Sequence, residues 1–188
     1  IHARNCYLKL PRVFDPERRP WVDPDAASPE EIAAMIRTCP SGALSYTRTD
    51  GGTEEAPPGI NRVTVMENGP LAVAGRLTVD GEPMLRATLC RCGKSATKPF
   101  CDYAHVDAGF TATGEPTPQV PGAEAEAQGG TLEIVPQENG SLRVTGAVEI
   151  TTGTGHRIAV REKVFLCRCG HSANKPFCDG SHRKVDFE

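Results

Sequence analysis

One set of four potential metal ligands occurs twice in the chain, in register. Cys90, Cys92, Cys101 and His105 follow the pattern C-x-C-x8-C-x3-H. Cys167, Cys169, Cys178 and His182 follow it again, each 77 residues after its counterpart. The intervening residues repeat too: CRCGKSATKPFCDYAH (90–105) against CRCGHSANKPFCDGSH (167–182). Two soft thiolates one residue apart, a third beyond a tight loop, and an imidazole one helical turn later can converge on one metal centre. Whatever fold surrounds the first set must therefore be built again around the second.

At 188 residues the chain has room for one large domain or two to three small ones. Aromatics make up 5%, against 19 Gly and 16 Pro, which points to small turn-rich modules. Metal binding stabilises such modules where burial alone falls short. A net charge of −3 gives no reason to expect nucleic acid or an anionic membrane as partner. No apolar run approaches the roughly 20 residues that span a bilayer, and no signal-peptide pattern is legible. The sequence opens on Ile1 rather than Met, so a start further upstream is expected. Six of the eight cysteines fall inside the repeated pattern. Cys90 and Cys92 are too close to pair with each other, and a disulfide has no use for histidine spacing. A reducing, cytoplasmic setting is the expectation.

Three regions emerge. In the first, residues 1–55, Ser28, Pro29 and Glu31 form a helix-start signature with a capping box. Ile32, Met35, Ile36 and Cys39 recur at helical spacing, so Cys39 is expected to end the buried face before Pro40 and Gly42. DGGTEEAPPG (50–59) reads as a linker. The modules at 60–113 and 131–188 each begin with Asn-Gly between short β-branched runs, a hairpin signal: VMENGPLAVAGRLTV (65–79) and VPQENGSLRVTGAVEI (135–150). The second module carries about six extra residues near TTGTGHR (151–157). GEPTPQVPGAEAEAQGG (114–130) reads as a flexible connector. The expected fold is β-rich α+β, each module being a hairpin that leads into a ligand loop and a short helix. Asp102 and Asp179 are the expected N-caps of those helices.

Tetrahedral zinc and an iron–sulfur cluster both accept three thiolates and an imidazole. Structural zinc usually comes with C-x2–4-C knuckles. A C-x-C pair splays two sulfurs onto one iron of a binuclear cluster, leaving the third cysteine and the histidine for the other.

The ligand loops resemble the CDGSH iron–sulfur domain of the mitoNEET family, C-x-C-x2-[S/T]-x3-P-x-C-D-G-[S/A/T]-H. The second module matches at Cys167, Cys169, Ser172, Pro176, Cys178, Asp179, Gly180, Ser181 and His182. The first matches at Cys90, Cys92, Ser95, Pro99, Cys101, Asp102, Ala104 and His105, with Tyr103 in place of the glycine. The resemblance implies one [2Fe-2S] cluster per module, held by three Cys and one His. The tandem form further implies a monomer whose halves pack about a pseudo-two-fold axis, imitating a homodimer.

CYLKLPRVFDPERRPWVDPD (6–25) and EEIAAMIRTCPSGALSY (30–46) resemble divergent single-cluster ferredoxin domains, with C-x5-C followed later by C-P-[ST]-G-A. Cys6 fills the second ligand position and Cys39 the last. Ala3 stands at the central one, and the first falls just before Ile1. The resemblance implies a [3Fe-4S] cluster, or a [4Fe-4S] cluster with one non-protein ligand, in a small α+β domain. The alternative is that Cys6 and Cys39 are buried thiols without metal.

Replacing one thiolate by a neutral imidazole removes a negative charge. Potentials are therefore expected between the roughly −400 mV of plant-type ferredoxins and the Rieske range of about −150 to +300 mV. Acid competes with iron for the imidazole, so His105 and His182 are expected to make the clusters acid-labile and transferable. Lys98 and Lys175 either tune cluster sulfurs or are solvated surface residues. No nucleotide-binding glycine loop, Ser-His-Asp arrangement or paired-carboxylate site is legible, so no enzyme is expected. The leading function is electron transfer or cluster transfer, with a redox partner or an apo iron–sulfur acceptor. The alternatives are a redox, iron or pH sensor acting by cluster loss, and a structural zinc protein that binds partners.

Overall fold

The computed structural model describes residues 3–119 and 129–188. It divides into two units, residues 2–56 and 57–188. No helix among the described residues is long and apolar enough to cross a membrane.

The first unit is built on two short helices, α1 (Asn5–Lys9) and α2 (Pro29–Ile36). The capping box at the start of α2 forms as expected. Ser28 Oγ accepts from the Glu31 amide at 3.2 Å, and Glu31 Oε2 accepts from the Ser28 amide at 3.0 Å. Met35 and Ile36 then turn inward onto Leu10, Val13 and Phe14. The helix ends three residues earlier than the periodicity predicts. The Thr38 and Cys39 amides turn back to the Met35 and Ile36 carbonyls, tightening the last turn, and Pro40 offers no amide to continue it. Cys39 thus lies beyond the helix, half-buried, rather than on its buried face. Among the described residues the β content of this unit is a single bridge between Phe14 and Val22.

Among the described residues the second unit holds six strands: β1 (Arg62–Val65), β2 (Leu71–Val79), β3 (Glu82–Leu89), β4 (Thr131–Pro136), β5 (Leu142–Thr151) and β6 (Arg157–Leu166). The Asn-Gly signals mark real turns: Asn68 and Asn139 sit at φ 47 and 45, joining β1 to β2 and β4 to β5. Three of the six extra residues lengthen the β5–β6 connection (152–156 against 80–81), one extends β5 and two extend β6. Each module has three strands rather than one hairpin, and the two sets interlace. β1 pairs antiparallel with β2 and parallel with β5, while β4 pairs antiparallel with β5 and parallel with β2. Exchanging the modules maps this pattern onto itself, which is the pseudo-two-fold relation. One apolar core serves both, with Val63, Leu71 and Leu89 packed in the same cluster as Ile134, Leu142 and Leu166. The start of the expected connector is fixed rather than free: the Gly153 amide donates to the Gly114 carbonyl at 3.0 Å, and Glu115 holds Thr154. Residues 120–128 of that connector lie outside the described residues.

Candidate metal centres

The strands deliver each ligand loop to the same place in its module. The Cys90 amide donates to the Pro99 carbonyl at 2.8 Å, and Cys167 does so to Pro176 at 2.8 Å. The Cys101 amide bonds the Thr88 carbonyl, and that of Cys178 bonds Phe165, both at 2.9 Å. Ser95 Oγ bonds the Phe100 carbonyl at 2.6 Å, and Ser172 Oγ that of Phe177 at 2.7 Å. These bonds fold the loop between the second and third cysteines back on itself, so residues far apart in the pattern meet.

The aspartates help to close the same loop. Asp102 accepts from the Ala96 and Ala104 amides, and Asp179 from those of Ala173 and Ser181. They do not occupy the expected N-cap position, which falls on Tyr103 and Gly180, one residue later. That position is left-handed in both modules, φ 81 and 86, which disfavours an aspartate there less than it favours glycine. Helix α3 (Ala104–Asp107) follows in the first module and a 3-10 turn (Ser181–Lys184) in the second.

The eight ligand candidates come together two by two. Cys90 and Cys92 place their sulfurs 3.7 Å apart, and Cys167 and Cys169 3.8 Å apart. His105 Nδ1 stands 3.4 Å from Cys101 Sγ, and His182 Nδ1 3.4 Å from Cys178 Sγ. Donors on one tetrahedral metal with bonds of about 2.3 Å to sulfur and about 2.0 Å to nitrogen are separated by about 3.8 Å (S–S) and about 3.5 Å (S–N). Each pair therefore fits one edge of one tetrahedral ion. Among the described residues no three His, Cys, Asp or Glu side chains gather as a mononuclear ion requires. In the first module a hydrogen bond from Cys92 lowers the Cys90 thiol to about 6, and that shared proton pushes Cys92 up. Burial raises Cys101 and Cys167 and lowers His105. A metal would take the place of these protons, with proton release on binding.

Two further residues per module complete the centre. Arg91 and Arg168, the middle residues of the two C-x-C pairs, are buried. Arg91 donates to the carbonyls of Gly69, Met66, Ala112 and Thr113 at 2.6–3.1 Å, and Arg168 to those of Gly140 and Gln137 at 2.9 and 2.6 Å. Each ligand loop is thereby tied to its module's Asn-Gly turn. Burial lowers the Arg91 pKa to about 10, opposed by the field of Cys167, and burial lowers Arg168 against the field of Cys90. Each guanidinium thus lies in the field of the opposite module's sulfurs. Gly93 and Gly170 explain why: a Cβ on Gly93 would lie 2.6 Å from the Cys169 carbonyl oxygen, and one on Gly170 2.6 Å from that of Cys92. The two loops meet back to back. The signal for all four residues was the doubled CRCG, but the x of C-x-C reads as spacing. Of the lysines, Lys175 bonds the Ser172 carbonyl at 2.6 Å and Lys98 lies over the Phe187 ring at 5.7 Å.

In the first unit, Asn5 Nδ2 bonds the Thr38 carbonyl at 2.7 Å, bringing the neighbours of Cys6 and Cys39 together. Cys6 packs against the apolar cluster. Burial opposes ionisation of Cys39, but the Ser41 hydroxyl and the amides of Leu44, Ser41 and Ala43 outweigh it and lower its pKa.

The family described as "Iron-binding zinc finger CDGSH type" matches residues 68–106 and 139–183. The family described as "Divergent 4Fe-4S mono-cluster" matches residues 1–49. The chain is also similar to the uncharacterized protein YjdI of Escherichia coli K12, and to its counterpart in strain O157:H7. It is 40% identical to each over 45 residues, 24% of this chain and 59% of either relative's length. Residues 68–106 and 139–183 are two tandem iron-binding domains of the CDGSH type, preceded by a domain of the divergent 4Fe-4S mono-cluster type.

Proposed function

We propose that each CDGSH-type module holds a [2Fe-2S] cluster by three cysteines and one histidine, and that the chain carries electrons or whole clusters between proteins. The observation that supports this is the two-by-two pairing of donors, each pair spaced for a separate tetrahedral ion. A cluster held by Cys90, Cys92, Cys101 and His105, or by Cys167, Cys169, Cys178 and His182, would supply a one-electron couple through its iron. The protein's part is to fix donor spacing, to hold back water, and to offset the cluster's negative charge with Arg91 and Arg168. The first unit is proposed to hold a third cluster, [3Fe-4S] or [4Fe-4S], on Cys6 and Cys39 with further ligands. Its support is the Asn5–Thr38 hydrogen bond, which brings the neighbours of Cys6 and Cys39 together, and the Ser41 hydroxyl 3.6 Å from Cys39 Sγ. The two modules pair with each other within one chain, so the working form is proposed to be a monomer in a reducing, cytoplasmic setting.

Anaerobic iron and sulfide analysis with visible absorption tests the reading. A variant with Cys6→Ser and Cys39→Ser should retain two iron and two sulfide per module and a red-brown colour. Colourless protein with one zinc per module overturns it. Mixing the loaded protein with an apo-ferredoxin then separates the two roles, since a donor passes iron and sulfide together and a carrier passes electrons alone.

A further inference from the structure

The two modules repeat each other's ligands and loop bonds, but not what covers them. The left-handed position after the aspartate is Tyr103 in the first module and Gly180 in the second. Tyr103 holds a conformation that glycine adopts freely, and its ring packs edge-on against His105, centroids 5.0 Å apart at 70°. His105 is 7% exposed and Cys101 9%. Gly180 carries no such cover. His182 and Cys178 are half-exposed and line a cavity of about 610 Å³ together with Phe165, Glu138 and Arg183. The residue two before the first ligand pair differs in the same sense: Phe165 is 43% exposed beside that cavity, whereas its counterpart Thr88 is 3% exposed.

We propose that the two centres are unequal: Tyr103 seals the first, and the second, opened by Gly180, is where incoming ligands reach the metal. This rests on the [2Fe-2S] reading above. The exchange is a ligand substitution at the second centre. An acceptor's thiol replaces first His182 or Cys178 and then the remaining donors. Each Fe–N or Fe–S bond broken is matched by one Fe–S bond formed. The incoming thiol's proton passes to the released nitrogen or sulfur, and no electron moves. The first centre stays loaded while the second turns over.

The test uses the full, loaded chain carrying Cys6→Ser and Cys39→Ser, so that only the two modules absorb, treated with excess EDTA in the presence of iodoacetamide. Visible absorbance is followed while freed thiols are mapped by mass spectrometry. Bleaching is expected in two phases of equal amplitude, separated about two- to tenfold, the range that loss of one edge-on aromatic contact can give. Cys167, Cys169 and Cys178 should be labelled in the fast phase, and Cys90, Cys92 and Cys101 in the slow one. Tyr103→Gly should merge the slow phase into the fast, and Tyr103→Phe, which keeps the ring, should leave both phases. A single phase in the parent chain, labelling in the reverse order, or a slow phase untouched by Tyr103→Gly overturns the inequality while the cluster reading stands. If the protein instead proves colourless and zinc-loaded, the cluster reading fails, and the order of labelling alone still decides whether Tyr103 shields its module.

Discussion

Arg91 and Arg168 carry the clearest residue-level consequence. Each is a buried cation whose bonds all go to backbone carbonyls of its own module. Truncating the head group leaves those carbonyls without a donor, at about 1–3 kcal/mol per buried group left unpaired. Arg91→Met should therefore lower stability by at least about 2 kcal/mol. Arg168→Met should cost less, since Arg168 serves two carbonyls and Arg91 four. Urea midpoints of the two variants read the difference, and equal losses would show that the count of bonds does not set the cost. The ligands were legible from spacing because a metal demands particular atoms at particular intervals. The arginines were not, because their partners are backbone carbonyls over 20 residues away, which every residue type offers and only the folded chain brings near.

At the level of elements, the back-to-back ligand loops predict a sharp penalty for one methyl group. Gly93 sits at φ +79, and its missing Cβ would stand 2.6 Å from the Cys169 carbonyl oxygen. Gly93→Ala meets a backbone cost of about 1–2 kcal/mol and a steric cost on top. Gly81 provides the control, with φ +87 and open space around it, so Gly81→Ala should show the backbone share alone. Thermal or urea unfolding should rank Gly93→Ala clearly below Gly81→Ala, and equal values would mean the loops do not press on each other. The hairpins themselves could be read from Asn68-Gly69 and Asn139-Gly140, since turn chemistry is local. The parallel pairings β1–β5 and β2–β4 could not, since they join segments more than 50 residues apart and no local pattern marks which edge meets which.

For the molecule as a whole, Glu149 fastens one module to the other. Its carboxylate, 7% exposed, takes Arg62 Nε at 2.9 Å from β1 and Arg157 Nε at 2.7 Å from β6. Desolvation works against its charge, but the two arginines outweigh it and hold its pKa below the ordinary value. Glu149→Gln keeps the shape and loses the charge, and should cost about 1–2 kcal/mol near neutral pH; the half-exposed arginines keep the figure modest. Because the folded value is depressed, this contribution is present above the unfolded pKa of about 4.3 and is lost as pH falls through the folded one. Denaturant titrations should thus show the gap between parent and variant closing below about pH 4. A constant gap would locate the effect in packing rather than charge.

The interlaced strands carry one last implication. Since β1 completes the partner half's sheet and β4 returns the favour, the seam between halves is one that two identical halves could also form. Two halves within one chain need not be identical. Position 103 carries a bulky ring and position 180 none, a difference closed to any pair of identical copies.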